Sequence, residues 1–126
     1  MRRRARLLLA SAACAAALLG CAPAQAQTIP AAAQHYRRDL VRAAHSQWGL
    51  DAPIAVFAAQ VHQESAWRPG AISHVGARGL AQFIPATARW WCGLTGTAPA
   101  DCQPHNPTWA LRALVSMTEA ACGHYL

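Results

Sequence analysis

The chain contains no lysine, and its 11 basic residues are all arginines set against five acids. Four of them, Arg2, Arg3, Arg4 and Arg6, stand in the first six residues. Seven arginines against five acids remain beyond them, a net charge of +2, and these are scattered rather than gathered into a patch. Nucleic-acid binding therefore loses its main physical support. Long apolar runs are missing too: the stretch from Leu7 to Leu19 is about 13 residues, whereas a helix crossing a bilayer needs roughly 20. There is no internal repeat, and no low-complexity segment beyond the N-terminal region. The six histidines show no H-x-x-x-H spacing, and His62-Gln63-Glu64 lacks the P-C-x-x-C partner that would make an H-x-E triplet a zinc deaminase signature. No metal and no cofactor is expected.

What the N-terminus does contain is an address. Residues 1–26 combine arginines, an apolar run and small residues at Ala24 and Ala26 in an A-x-A arrangement, which reads as an export signal cleaved after Ala26. A second site competes with it. Leu18-Leu19-Gly20-Cys21 resembles a bacterial lipobox, and acylation at Cys21 would anchor the protein to the membrane; without that lipid no membrane contact is expected. Residues 27–33 read as a short linker and 34–126 as one domain, placed in the periplasm or otherwise outside the cytoplasm. In that oxidising space Cys92, Cys102 and Cys122 remain to pair. Cys92 and Cys102 bracket a Gly/Thr/Pro loop and are candidates for a disulfide, or else two small apolar residues. Cys122 is then a buried free thiol, a link between chains, or a residue whose partner lies elsewhere.

The domain reads as mainly helical. Leu40, Val41, Ala44 and Trp48 predict a helix over 34–48 ended by Gly49. Asp51 as N-cap and Pro53 in the first turn predict a second, with Ile54, Phe57, Ala58, Val61 and Ser65 on its apolar face. Pro69, Gly70, Gly76 and Gly79 make a folded loop or short hairpin of the stretch after Trp67. Pro85 starts a short helix running into Trp90-Trp91. Asn106 and Pro107 open a last helix that is apolar around much of its circumference, and the sequence offers little to cover it.

Glu64 is the one acid between Asp51 and Asp101. The helical wheel sets it at the edge of the apolar stripe, near the last turn, and so half buried. A half-buried carboxyl at a helix C-terminus is disposed to keep its proton. A protonated glutamic acid can deliver that proton to a leaving-group oxygen, as glycosidic cleavage requires. Glycosidases that retain or invert need a second carboxylate about 5 to 9.5 Å away, and residues 65 to 100 hold none. A single carboxylate suffices when it acts first as acid and then as base while a hydroxyl of the sugar supplies the nucleophile.

The stretch QVHQESAWRPGAISHVGARGLAQFIPATA, residues 60–88, resembles the catalytic core of lytic transglycosylases with a soluble-type (SLT) lysozyme-like domain. The family pattern appears as Glu64-Ser65, Ser73, Gly76-Ala77, Gly79-Leu80, Gln82, Pro85 and Thr87-Ala88. The segment HNPTWALRAL resembles a later part of the family. The resemblance implies a lysozyme-like fold, mainly α with minimal β, and lytic cleavage between N-acetylmuramic acid and N-acetylglucosamine in peptidoglycan, leaving 1,6-anhydro-muramoyl ends. It implies that Glu64 is catalytic, that Ser65, Ser73 and Gln82 line the sugar groove, and that Gly76 and Gly79 shape its wall. The partner is the peptidoglycan glycan strand; partners in secretion or lysis are not indicated.

A Tyr-Asn-Gly-like segment that the family carries on a later helix is not matched around Tyr125, so the domain is expected to be shortened at its C-terminus. Two other readings stay open beside the transglycosylase: a non-catalytic wall-binding remnant, and a conventional muramidase using water. For the single residues the structural alternatives are a loop-bonding role for Gln82, a helix-end hydroxyl for Ser65, a turn role for Ser73, and core packing for Trp90-Trp91.

Overall fold

A computed structural model describes residues 29–123. The expected export signal at 1–26, the lipobox cysteine and Tyr125 lie outside the described residues. Four α-helices follow in order: α1, Ala31–Trp48; α2, Ile54–Ser65; α3, Pro85–Leu94; and α4, Pro107–Gly123. A single 3-10 turn at Pro99–Asp101 stands between α3 and α4. Among the described residues β structure is confined to isolated antiparallel bridges, Ile72 with Arg78 and Arg78 with Phe83. The architecture is mainly α with minimal β.

Helix α1 begins at Ala31, inside the stretch read as a linker, because the alanines after Pro30 continue the helix. Its last turn closes on Gly49, whose φ of 75° few other residues adopt without strain and whose N–H donates to His45 O at 3.0 Å. Asp51 does not cap α2, as the sequence had suggested. Pro53 is non-helical at φ −77°, ψ 66° and occupies the cap position, so the helix starts one residue later. Asp51 is left exposed in the preceding turn. Asn106 does cap α4: its Oδ1 accepts from Trp109 N at 3.1 Å while Pro107 opens the helix.

The expectation that α4 lacks covering is overturned. Leu111 and Val115 are buried in a core with Leu40 and Ala44 of α1, Phe57 and Val61 of α2, and Leu80 and Trp67 of the loop. Ala113, with Trp109 and Met117 beside it, packs instead against Phe83 and Ala88. Two separate clusters thus share the helix. Polar links hold α1 along it: Trp48 Nε1 donates to Val115 O at 3.0 Å, Ser116 Oγ donates to Gln47 Oε1 at 3.0 Å, and Gln47 Nε2 donates to Glu119.

Cys92 and Cys102 form a disulfide with Cα atoms 6.0 Å apart. It ties the end of α3 to the chain entering α4. Cys122 is exposed and free among the described residues, which removes the buried-thiol reading. Replacing both Cys92 and Cys102 by alanine should lower stability by about 2 to 3 kcal/mol, the loop-closure value for a crosslink of this span. Urea unfolding of the two proteins measures it.

Candidate active site

Glu64 occupies the last turn of α2, and its side chain is exposed rather than half buried. The reason lies in the helix geometry. The buried positions Phe57, Val61 and Ser65 follow an i, i+4, i+8 row. Such a row drifts about 40° per step at 3.6 residues per turn. By the final turn the core lies under Ser65, and Glu64 has rotated out of it.

Ser65 is 3% exposed, and its hydroxyl lies 2.9 Å from Leu80 O and 3.3 Å from Val61 O. The family resemblance implies a place in the sugar groove for this side chain, with a helix-end hydroxyl as the structural alternative. The structure puts it between α2 and the following loop, where it fixes the spacing between Glu64's helix and Leu80. Beyond it the chain turns sharply through Ala66 at φ 50° and Trp67 at φ 65°. Two successive non-glycine residues in the left-handed region are uncommon and cost energy. Burial of Trp67 in the main core holds them there. The E-S-A-W string carries no glycine to announce that turn.

Residues 71–83 form a compact double turn. Ser73 N donates to Ala77 O at 2.9 Å, Gly79 N to Ala71 O at 3.0 Å, and Arg78 and Phe83 exchange both backbone bonds at 3.0 Å. Ser73 Oγ accepts from Ala77 N at 3.1 Å, which closes its own turn and leaves the residue half-buried. Gln82, at φ 51°, donates through Nε2 to Gly79 O at 3.0 Å and Ala71 O at 3.3 Å. Its amide braces the loop backbone. Gly76 has φ 79° with open space where a Cβ would stand. Gly79 has the same φ, and a Cβ there would lie 1.8 Å from Pro104 O. The loop is therefore seated directly on the chain entering α4, and His105 Nδ1, 3.1 Å from Pro69 O, adds a second contact.

Glu64 is exposed at the helix end, while Ser65, Ser73 and Gln82 each hydrogen-bond the scaffold. Arg68 follows closely, with Nε donating to Ser65 O at 3.0 Å. The tryptophan pair divides: Trp91 is half-buried against the Phe83 cluster, while Trp90 is 59% exposed. A cleft of about 720 Å³ runs between the C-terminal part of α1, α3 and α4, with Asp101, Arg112 and Glu119 in its lining, and Glu64 is not part of it. Among the described residues no group of three or more His, Cys, Asp or Glu side chains is placed to hold a metal, and no helix is long and apolar enough to cross a membrane.

This helix–loop unit, with one exposed carboxylate at a braced elbow, falls within a known family. The chain belongs to the transglycosylase SLT domain family, whose model matches residues 39–113, from within α1 to the middle of α4. No curated protein and no solved structure matches it. Membership supports, at family level, a transglycosylase-type enzyme that binds peptidoglycan on a lysozyme-like fold.

Gly79→Ala should be severely destabilising, by more than about 3 kcal/mol, since backbone clash and left-handed strain act together. Ser65→Ala should cost about 1 to 3 kcal/mol, because Leu80 O then loses a buried donor. Thermal and urea unfolding of each variant check both values.

Proposed function

We propose that the protein cleaves the bond between N-acetylmuramic acid and N-acetylglucosamine in peptidoglycan without water, forming 1,6-anhydro-muramoyl ends. Glu64 first gives its proton to the departing N-acetylglucosamine oxygen as the glycosidic bond breaks. Its carboxylate then takes the proton of the muramoyl C6 hydroxyl, whose oxygen closes on C1. The proton count balances and Glu64 ends as it began. The observation that carries this reading is the solitary carboxylate: residues 65–100 contain no other, so the two-carboxylate mechanisms have no second member on this helix or its loop. The brace between Ser65 and Leu80 supports it, since a catalytic acid gains from rigid placement.

The site of action in this proposal is the periplasm or another compartment outside the cytoplasm. The Cys92–Cys102 disulfide favours an oxidising space, and the N-terminal 26 residues favour export. Sequencing the N-terminus of the protein recovered from cells distinguishes cleavage before Gln27 from lipidation at Cys21.

Digestion of purified peptidoglycan by the full chain, produced with export, tests the chemistry by mass spectrometry of the released fragments. Anhydro ends are expected from the wild type, and Glu64→Gln should reduce them at least 100-fold, the usual scale for loss of a general acid–base group. Reducing ends instead would mean a muramidase. A folded chain that retains the wall but releases nothing would sink cleavage and leave a binding protein.

A further inference from the structure

The Cys92–Cys102 disulfide lines an open cleft of about 460 Å³ beside the loop, together with Arg78, Arg89 and Pro104. Cys92 is 4% exposed, and Cys102 is half-buried. No aspartate or glutamate lines the cleft; Asp101, next to Cys102 in the chain, contributes to the larger one instead. Among the described residues the ion pair that forms is Arg42 with Asp39, so neither Arg78 nor Arg89 is paired with an acid. Arg89 stands three residues before Cys92 on α3, the spacing that brings two side chains onto one helix face. Positive charge beside a cysteine stabilises its thiolate and makes that sulfur a better leaving group.

What the disulfide holds is the segment behind the loop that follows Glu64. Asp101 N donates to Ala98 O at 2.9 Å, Cys102 N to Pro99 O at 3.3 Å and Asn106 N to Gln103 O at 2.9 Å, so the backbone bonds here are local. The covalent tie to α3 is the disulfide. Two residues beyond Cys102, Pro104 O fills the space that a Cβ at Gly79 would need, and His105 Nδ1 lies 3.1 Å from Pro69 O. Gly79 N in turn donates to Ala71 O at 3.0 Å, and the next carbonyl, Leu80 O, is the one that Ser65 reaches. Crosslink, segment and loop thus form one connected support that ends beside α2.

We propose that this cleft is a thiol–disulfide exchange site, and that its reduction by a dithiol frees the loop beside Glu64 while the helical core stays folded. A thiolate of the dithiol attacks Cys102 Sγ, the more exposed sulfur; the S–S bond breaks, and Cys92 leaves as a thiolate stabilised by the two guanidinium groups. The second sulfur of the dithiol then attacks the mixed disulfide and releases Cys102, so that the reductant ends as a disulfide. Two electrons pass to the protein, and the two protons of the dithiol end on Cys92 and Cys102. The main core is spared because neither cysteine belongs to it. The proposal goes beyond the lytic reading and is tested without substrate, so the two stand or fall independently.

The test uses the full chain, produced with export and oxidised, with dithiothreitol as the probe in the absence of denaturant. Thiol alkylation and mass spectrometry time the appearance of Cys92 and Cys102 beside Cys122, which is free from the start. Arg78→Gln with Arg89→Gln should slow reduction by about three- to tenfold, the effect of a less stabilised leaving thiolate. Arg78→Lys with Arg89→Lys keeps both charges and should retain the wild-type rate. Both side chains are exposed, so the circular dichroism of each variant should match that of the wild type. Amide hydrogen exchange gives the second readout: on reduction the amides of Arg78 and Gly79 should exchange roughly tenfold faster, while those of Val61 and Leu111 keep their protection. A disulfide that is reduced only when urea unfolds the chain overturns the proposal. So does a glutamine variant reduced as fast as the wild type, a lysine variant as slow as the glutamine one, a loop that keeps its protection, or a core that loses protection together with the loop.

Discussion

Helix α4 is covered from two sides, and the position of everything around it depends on that. One side presents Ala110, Leu111 and Val115 to α1, α2 and Trp67; another presents Ala113 and Trp109 to Phe83 and Ala88. Each fully buried Leu or Val contributes about 1.5 to 3 kcal/mol. The two clusters also fix geometry, because α2 belongs to the first while the end of the loop and α3 belong to the second. The loop spans them, with Leu80 in one and Phe83 in the other. Glu64, at the end of α2, thus has a set relation to the loop through the core beneath both.

That relation is refined by polar contacts rather than by more apolar burial. Ser65 reaches across to Leu80 O, Gln82 spans Gly79 and Ala71, and Ser73 closes its own turn. In a segment this rich in glycine and without regular sheet, backbone carbonyls need partners that helices and strands would otherwise supply. The polar residues of the motif supply them. The place of these residues in the motif therefore has a structural explanation.

The helices were legible in the sequence because their signals are local. Gly49, Asn106-Pro107 and the apolar spacing of residues 34–48 mark boundaries that a few neighbouring residues decide. The motif around Glu64 was equally plain and led to the family. Three features were not local. The exposure of Glu64 depends on a cumulative drift of the buried row along α2. The covering of α4 comes from residues more than 20 positions away in sequence, such as Phe83, Leu40 and Phe57. Asp51 loses the cap position because Pro53 takes a non-helical ψ, a choice set by how the turn after Gly49 is closed.

The scarcity of acids has a further structural meaning. A carboxylate within residues 65–100 would have offered Arg68, Arg78 or Arg89 a nearby partner, and exposed pairs of that kind add little stability, typically under about 1 kcal/mol. Leaving them out costs the fold almost nothing. Arg78 and Arg89 line a cleft that no acid lines, and Arg68 satisfies part of its hydrogen bonding on Ser65 O. Between Asp51 and Asp101 the chain thus carries one acid, Glu64, exposed in the last turn of α2, and it leaves Arg68, Arg78 and Arg89 without a carboxylate partner in their own segment.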